Sequence, residues 1–270
     1  MENIFKRIKS LQIQGATAIA AESLKYLKKF SAKNGFGKKF DAECKRLLAV
    51  RKTAVVLHNV LEELKKEKSA KKIDELLERL QKNKEKIAFN GRSLIKKNYS
   101  VHTHCHSTEA LAVIKEAAKT KKFAVVVDET RPKGQGIKTA KELAKIRNIK
   151  VTLIIDDAAW NTVQNDDIVI VGADALRKEG LVNKIGTHML AVIAKEKGIP
   201  FYVAADTFRL DRRKKIEIEE RPPEEIHKKI KGVKIKNPAF DITPWKYVMT
   251  VITEKGIKKP KNIVKMIIKK

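Results

Sequence analysis

The segment Val101-His102-Thr103-His104-Cys105-His106-Ser107-Thr108-Glu109 sets one of only two cysteines among three histidines, directly before a run of helix-forming residues. A thiol so placed is a candidate acid or base. Ser107 and Thr108 are residue types that cap helix starts, so Cys105 is expected at a strand-to-helix turn facing unpaired backbone amides, where a thiol pKa falls. Two other uses of these residues stay open. A cysteine beside histidine packs as a small hydrophobe, and His/Cys clusters bind zinc. The tight alternation here lacks the wider gaps and second ligand pair of a structural zinc site, and His58, His188 and His227 form no such pair, so no metal is expected. The second candidate is Asp174, which follows the apolar run Ile168–Val171 and the small residues Gly172 and Ala173. A half-buried carboxylate at a strand tip is expected to have a raised pKa and to pair with the thiol in proton transfer. A strand-tip aspartate also serves as a turn former or helix cap, and Asp128, Glu129 and Asp241 share that alternative.

Two kinds of element would have to position these groups. Residues 1–97 contain no proline and carry apolar side chains at three- and four-residue spacing, as in Ile19, Leu24, Leu27 and Ile73, Leu76, Leu77, Leu80. They read as a helical N-terminal domain, with a loop at Asn34-Gly35-Phe36-Gly37. Residues 98–270 change to short apolar runs separated by helical ones: Phe123–Val127, Val151–Ile155, Ile168–Val171 and Phe201–Ala205. Unbroken apolar strands alternating with helices indicate a parallel sheet covered on both faces, a Rossmann-like α/β domain carrying the catalytic site. Each run ends in a polar cluster, and in open parallel sheets ligands bind where those carboxyl ends converge.

Two cysteines, Cys44 and Cys105, and no apolar leader after Met1 imply a soluble protein in a reducing, cytoplasmic setting. No stretch approaches the roughly 20 apolar residues of a membrane span. A formal charge of +28, from 60 Lys+Arg against 32 Asp+Glu, suggests a polyanionic partner such as RNA or a phosphorylated metabolite. The lysines are spread through nearly every helix and loop without an aromatic-studded stripe, which reads as a solvated surface and weakens the RNA case. GxGxxG is absent from the turn after Ile168–Val171, and GxxxxGK[ST] occurs nowhere, so no dinucleotide or nucleoside-triphosphate cofactor is expected. Candidates for holding a phosphate are Ser107 at its helix start, Arg131, Gln135, Asn183, Lys184 and Arg209.

Four segments carry a family resemblance: THCHS at Thr103–Ser107, DETRPKGQG at Asp128–Gly136, GAD at Gly172–Asp174 and NKIGT at Asn183–Thr187. They resemble the initiation factor 2B-like superfamily, whose members include aldose-phosphate isomerases and translation factor subunits. ETRPKxQGxxTAKELA, THCHS and the run Asn237–Ile257 look closest to its archaeal ribose 1,5-bisphosphate isomerases. The likeness covers residues 100–257 and, more faintly, the helical half.

The resemblance implies that Cys105 and Asp174 interconvert an aldose and a ketose phosphate, α-D-ribose 1,5-bisphosphate and ribulose 1,5-bisphosphate, with Cys105 as base and Asp174 as acid and with neither cofactor nor metal. It also implies a role in AMP salvage and a homo-oligomer built on dimers. Ser107, Thr108, Asn183, Lys184 and Arg209 fall where the family holds substrate, and Arg51 falls at an Arg-Pro-Thr phosphate contact. Where the isomerases carry a glycine-rich RGAG turn, this chain has Gln14-Gly15-Ala16-Thr17, so a charged clamp is replaced by a neutral donor about half as strong. Lys52 stands in place of a proline. The competing reading is a non-catalytic regulatory subunit of initiation factor 2B type, which binds a sugar phosphate or nucleotide and contacts a translation GTPase; Gln14 and the positive charge favour it. A methylthioribose 1-phosphate isomerase would share the Cys/Asp pair but prefer fewer cations.

Overall fold

The computed structural model describes residues 4–10, 12–13, 15–51, 53–215 and 218–269. The chain divides into two compact units, Met1–Asn83 and Lys84–Lys270. The first holds helices α1 (Ile4–Lys9), α2 (Ala16–Asn34), α3 (Lys38–Val50), α4 (Val55–Lys66) and most of α5 (Ala70–Gly91). In α2 the residues Ile19, Ala20, Leu24 and Leu27 share one helical face and are buried. That face packs against α3 and α4. Ser69 directly precedes helix α5 and its Oγ accepts the Lys72 N–H at 3.0 Å; the helix buries Ile73, Leu76 and Leu80. The helical half expected from the periodicity is therefore present, and charged pairs such as Lys28–Asp74 and Arg79–Glu63 lie at its surface. No helix among the described residues is long and apolar enough to cross a membrane.

The second unit is built on a seven-stranded sheet. Its strands are β1 (Ser100–Thr103), β2 (Phe123–Asp128), β3 (Ile149–Ile154), β4 (Ile168–Val171), β7 (Phe201–Ala204), β9 (Thr250–Thr253) and β10 (Gly256–Lys258). A small second sheet contains β5 (Ala175–Leu176), β6 (Gly180–Lys184) and β8 (Phe240–Pro244). Helices α6 (Thr108–Ala118), α7 (Gln135–Leu143), α8 (Ala159–Thr162), α9 (Thr187–Glu196) and α10 (Pro260–Ile268) connect or flank the strands. The order across the large sheet is β10-β9-β7-β4-β1-β2-β3, and every pair is parallel except β9 with β10.

The four apolar runs are β2, β3, β4 and β7, as the pattern predicts. Val125, Val127, Ile168 and Ile170 join Val113 and Ile114 of α6 in one core; Val169, Val171 and Val203 join Leu190 and Ala194 of α9 in another. Sequence periodicity missed β1, whose His102 and Thr103 are polar yet buried. It also missed the antiparallel sheet, in which β5 is two residues long and β6 ends in Asn183 and Lys184. Asn183 and Lys184 sit at the end of strand β6, and α9 begins only at Thr187.

Candidate active site

Strand order reverses between β1 and β4: from β1 the sheet grows through β2 and β3 to one side, and from β4 through β7 and β9 to the other. The neighbouring crossover helices therefore leave toward opposite faces and open a crevice at the strands' carboxyl ends. Cys105 lies just beyond β1 and Asp174 just beyond β4, so both expected catalytic groups occupy this switch point. The steric fit at Gly172 shows that the two loops touch. A Cβ on Gly172 would stand 2.1 Å from Ser107 Oγ, so only a glycine lets the β4 tip approach the start of α6 this closely.

Cys105 has φ of 68°, a left-handed conformation that is uncommon for a residue with a Cβ. Its N–H donates to Thr130 Oγ1 at 2.9 Å and its carbonyl accepts from Thr139 Oγ1 at 2.8 Å. The single Thr139 hydroxyl proton is thus committed, and His106 Nδ1, 2.9 Å from the same oxygen, must be the donor in that pair. Ser107 caps α6 as expected, accepting the Ala110 N–H at 3.3 Å.

The expected lowering of the Cys105 pKa is not found. Burial dominates and pushes the thiol up to about 12, with the charges of Asp174 and Asp156 adding to the rise; a hydrogen bond from the His106 backbone and the charge of Lys184 oppose it without overcoming it. The helix N-terminus was the wrong predictor because burial of the sulfur outweighs the hydrogen bond it receives from the His106 backbone. Lys184 is itself buried, 8% exposed, and burial lowers its pKa against the opposing charges of Cys105, Glu225 and Asp174. Cys105, Asp174 and Lys184 therefore form one mutually interacting group of a thiol, a carboxylate and an ammonium.

The remaining expected site residues fall into distinct places. Asn183 is buried, and its Nδ2 donates to Thr187 Oγ1 at 3.0 Å. Gln135 opens α7, and its Oε1 is buried without a hydrogen-bond partner among the described residues. Thr108 and Arg131 are exposed; the Arg131 backbone N–H donates to Asp156 Oδ2 at 2.7 Å. Arg209 is 2% exposed and turned toward protein: Nε donates to the Ala173 carbonyl at 2.5 Å, NH1 to Asp206 at 2.8 Å and NH2 to Glu109 at 2.8 Å. Burial opposes its charge, but Glu109 and Asp206 more than compensate. It braces the peptide preceding Asp174. Gly15, Ala16, Thr17 and Arg51 belong to the first unit: Gly15 precedes α2 with φ of 88°, Ala16 and Thr17 open that helix, and Arg51 ends α3. Gln14 lies outside the described residues.

Behind Cys105 runs a buried chain that the sequence reading did not assemble. His102 is wholly buried, with Nδ1 2.8 Å from Asp166 Oδ2 and Nε2 2.9 Å from Asp128 Oδ1. His104 continues it, with Nδ1 2.9 Å from Asp128 Oδ2 and Nε2 2.9 Å from the Ile185 carbonyl. The only available signal was the two-residue spacing of His102 and His104, which an extended chain places on one face, where both rings meet the Asp128 carboxylate. His104, Asp128 and Asp156 offer ligand atoms within 4.8 Å of one another, but these atoms already serve hydrogen bonds: Asp156 accepts the Thr130 and Arg131 amides. The donor set is that of a hydrogen-bond network. Asp241, one of the residues with an open alternative, is a cap: its Oδ2 accepts the Gly186 and His188 N–H groups at 2.9 and 3.0 Å.

Burial alone would lower the His102 pKa, but its bonds to Asp128 and Asp166 and their charges raise it from 6.5 to about 9. A raised folded-state pKa stabilises fully below the unfolded value, and the contribution disappears as pH climbs through the folded value. Stability is thus expected to fall by roughly 3 kcal/mol between about pH 6.5 and pH 9. Urea midpoints measured across that window should decline in the wild type and flatten in His102→Gln; a flat wild-type profile would show that His102 is not charged in the fold.

Comparison with known proteins places the chain in a family. The family model described as the initiation factor 2 subunit family matches residues 12–260. A protein of Methanocaldococcus jannaschii named ribose 1,5-bisphosphate isomerase is 40% identical, over 97% of this chain and 92% of its own length. One of Acetivibrio thermocellus named methylthioribose-1-phosphate isomerase is 39% identical, over 93% of this chain and 85% of its own. Among solved structures, the Pyrococcus horikoshii translation initiation factor eIF-2B superposes with a TM-score of 0.86 at 29% identity, covering 97% of both chains. With a match over almost its full length and a Cys/Asp pair at the switch point of the sheet, the chain belongs to the initiation factor 2 subunit family.

Proposed function

We propose that this chain is a sugar-phosphate isomerase that converts α-D-ribose 1,5-bisphosphate to ribulose 1,5-bisphosphate, with Cys105 and Asp174 as its acid–base pair. The observation that carries the reading is the meeting of a thiol, a carboxylate and a buried ammonium at the β1/β4 switch point, in a chain about 40% identical to a protein named for that reaction. One group donates a proton to the ring oxygen as the C1–O bond opens, and the other removes the C2 proton to leave an enol phosphate. The second proton is then delivered to C1, while the C2 hydroxyl returns its own to the first group and becomes the carbonyl. The cycle balances with one proton shared by the pair at rest.

In the substrate-free protein burial holds that proton on sulfur. Cys105 can therefore act as the base, the role implied by the family resemblance, only after passing its proton to Asp174, and the nearby Lys184 charge lowers the cost of the resulting thiolate. Lys184 and Asn183 are the donors we assign to phosphate, together with Ser107. Gln135 shares a helical face with Thr139, which holds the Cys105 carbonyl, and its unpartnered Oε1 would accept a sugar hydroxyl. Lys184 shares its surroundings with Arg221 and Glu225, a charged setting that suits a second phosphate better than a thioether. A homo-oligomer built on dimers belongs to the same reading.

The test is direct: purified protein with ribose 1,5-bisphosphate, followed by phosphorus NMR, which separates a phosphate on the anomeric carbon from one on a primary carbon. Conversion is expected, with methylthioribose 1-phosphate a poorer substrate. Tight binding without turnover would overturn the isomerase and favour a sugar-phosphate-binding regulatory subunit.

A further inference from the structure

We infer that His104 is a positioning residue, a buried strut that fixes the Cys105 turn against the turn carrying Lys184. His104 directly precedes Cys105, and Ile185, whose carbonyl its ring meets at 2.9 Å, directly follows Lys184. One imidazole thus ties the thiol-bearing loop after β1 to the ammonium-bearing end of β6. A carbonyl only accepts, so Nε2 is the donor in this bond, while Nδ1 faces the Asp128 carboxylate.

The strut is supported from behind. Asp128 uses its other oxygen on His102, which ends on Asp166, and Asp166 accepts in turn from Ser100 Oγ at 2.5 Å. His102, His104, Asp128 and Asp166 are at most 5% exposed. Buried networks with every member satisfied resist local displacement. The ring is also seated sterically: a Cβ on Gly186 would lie 2.9 Å from His104 Cε1 and 3.1 Å from Nε2. Two positions in the vicinity, Cys105 and Thr130, hold left-handed φ values of 68° and 64°. Such conformations persist when their surroundings over-determine them. Thr130 and Thr139 hold Cys105 by its backbone toward β2 and α7, and His104 supplies the tie toward β6.

This inference rests on the isomerase reading for its effect on turnover, but the strut can be tested without substrate. In His104→Asn the side-chain amide can replace the Nδ1 donor to Asp128 but not the reach to Ile185; in His104→Gln it can replace the Nε2 donor. A displacement of about 1 Å at a reacting group costs on the order of 100-fold in rate. We therefore expect kcat to fall about 100-fold in His104→Asn with KM changed less than about threefold, and His104→Gln to recover most of the loss. Alkylation of Cys105 by iodoacetamide, resolved from Cys44 by peptide mass spectrometry, should accelerate about tenfold in His104→Asn and stay near wild type in His104→Gln as the turn loosens or holds. Gly186→Ala, which displaces the ring without changing it, should behave like His104→Asn. Folded variants with wild-type kcat, or Asn and Gln variants that lose kcat alike in step with melting temperature while Cys105 alkylation is unchanged, would overturn the strut. A wild type without turnover whose alkylation still separates Asn from Gln would overturn the isomerase reading and uphold the strut.

Discussion

Cys105→Ser and Asp174→Asn are each expected to lower kcat by at least ~100-fold, the usual worth of a positioned proton-transfer group. Serine keeps the shape of the side chain but replaces a thiol, already held at about 12 by burial, with a hydroxyl that neither gains nor gives up a proton readily. Asparagine keeps the volume of Asp174 and loses its ability to carry a proton at all. KM should move much less, because the phosphate donors assigned here, Lys184 and Asn183, remain. The double variant should be little worse than either single one, since the two groups share a proton and act as a unit. Steady-state kinetics on variants whose circular dichroism melts match wild type is the check. Retention of a tenth of the activity by either single variant would remove that residue from proton transfer.

The largest stability effect is expected at Glu109, a residue that touches no proposed reacting group. Its carboxylate pairs with Arg209 at 2.8 Å, and both side chains are almost wholly buried. Removing one member of a buried pair leaves the other charge without full compensation, at a cost of about 3–5 kcal/mol. Glu109→Ala should therefore lower the melting temperature by on the order of 10 °C. Asp206 still holds Arg209 at 2.8 Å, which keeps the loss near the lower end of that range. Asp74→Ala is the control: its pair with Lys28 is about half exposed on both sides, and such pairs contribute about 0–1 kcal/mol. Equal shifts for the two variants would show that Arg209 is not the buried anchor described. Because Arg209 also donates to the Ala173 carbonyl, Glu109→Ala should lose activity as well, through movement of Asp174.

The helical half, the parallel α/β half and the places of Cys105 and Asp174 at strand ends were legible from residues alone, for a local reason. Amphipathic spacing in α2 and α5 and unbroken apolar runs in β2, β3, β4 and β7 are properties of short windows, and each strand announces its end with a polar cluster. Once the strands are parallel, those ends must lie on one side of the sheet, so a thiol after β1 and a carboxylate after β4 share a crevice. What periodicity could not show were elements whose burial is purchased by partners far along the chain: β1 keeps polar His102 in the interior because Asp128 and Asp166 meet it, and β6 buries Asn183 and Lys184 against β8.

The protonation of the site was likewise decided only in three dimensions. Sequence placed Cys105 next to a helix start, which argued for a lowered pKa, whereas the fold encloses the sulfur and burial outweighs the amides and Lys184. Arg209 looked like a phosphate donor until its nitrogens were found on Ala173, Asp206 and Glu109. The sequence by itself determined the helical and parallel-sheet halves and which residue types stand at which strand ends, because residue type and local periodicity suffice for that. The charge state of the thiol, the inward turn of Arg209 and the histidine strut behind Cys105 were decided by the tertiary structure, because desolvation and hydrogen-bond partnership depend on neighbours that only the folded chain brings together.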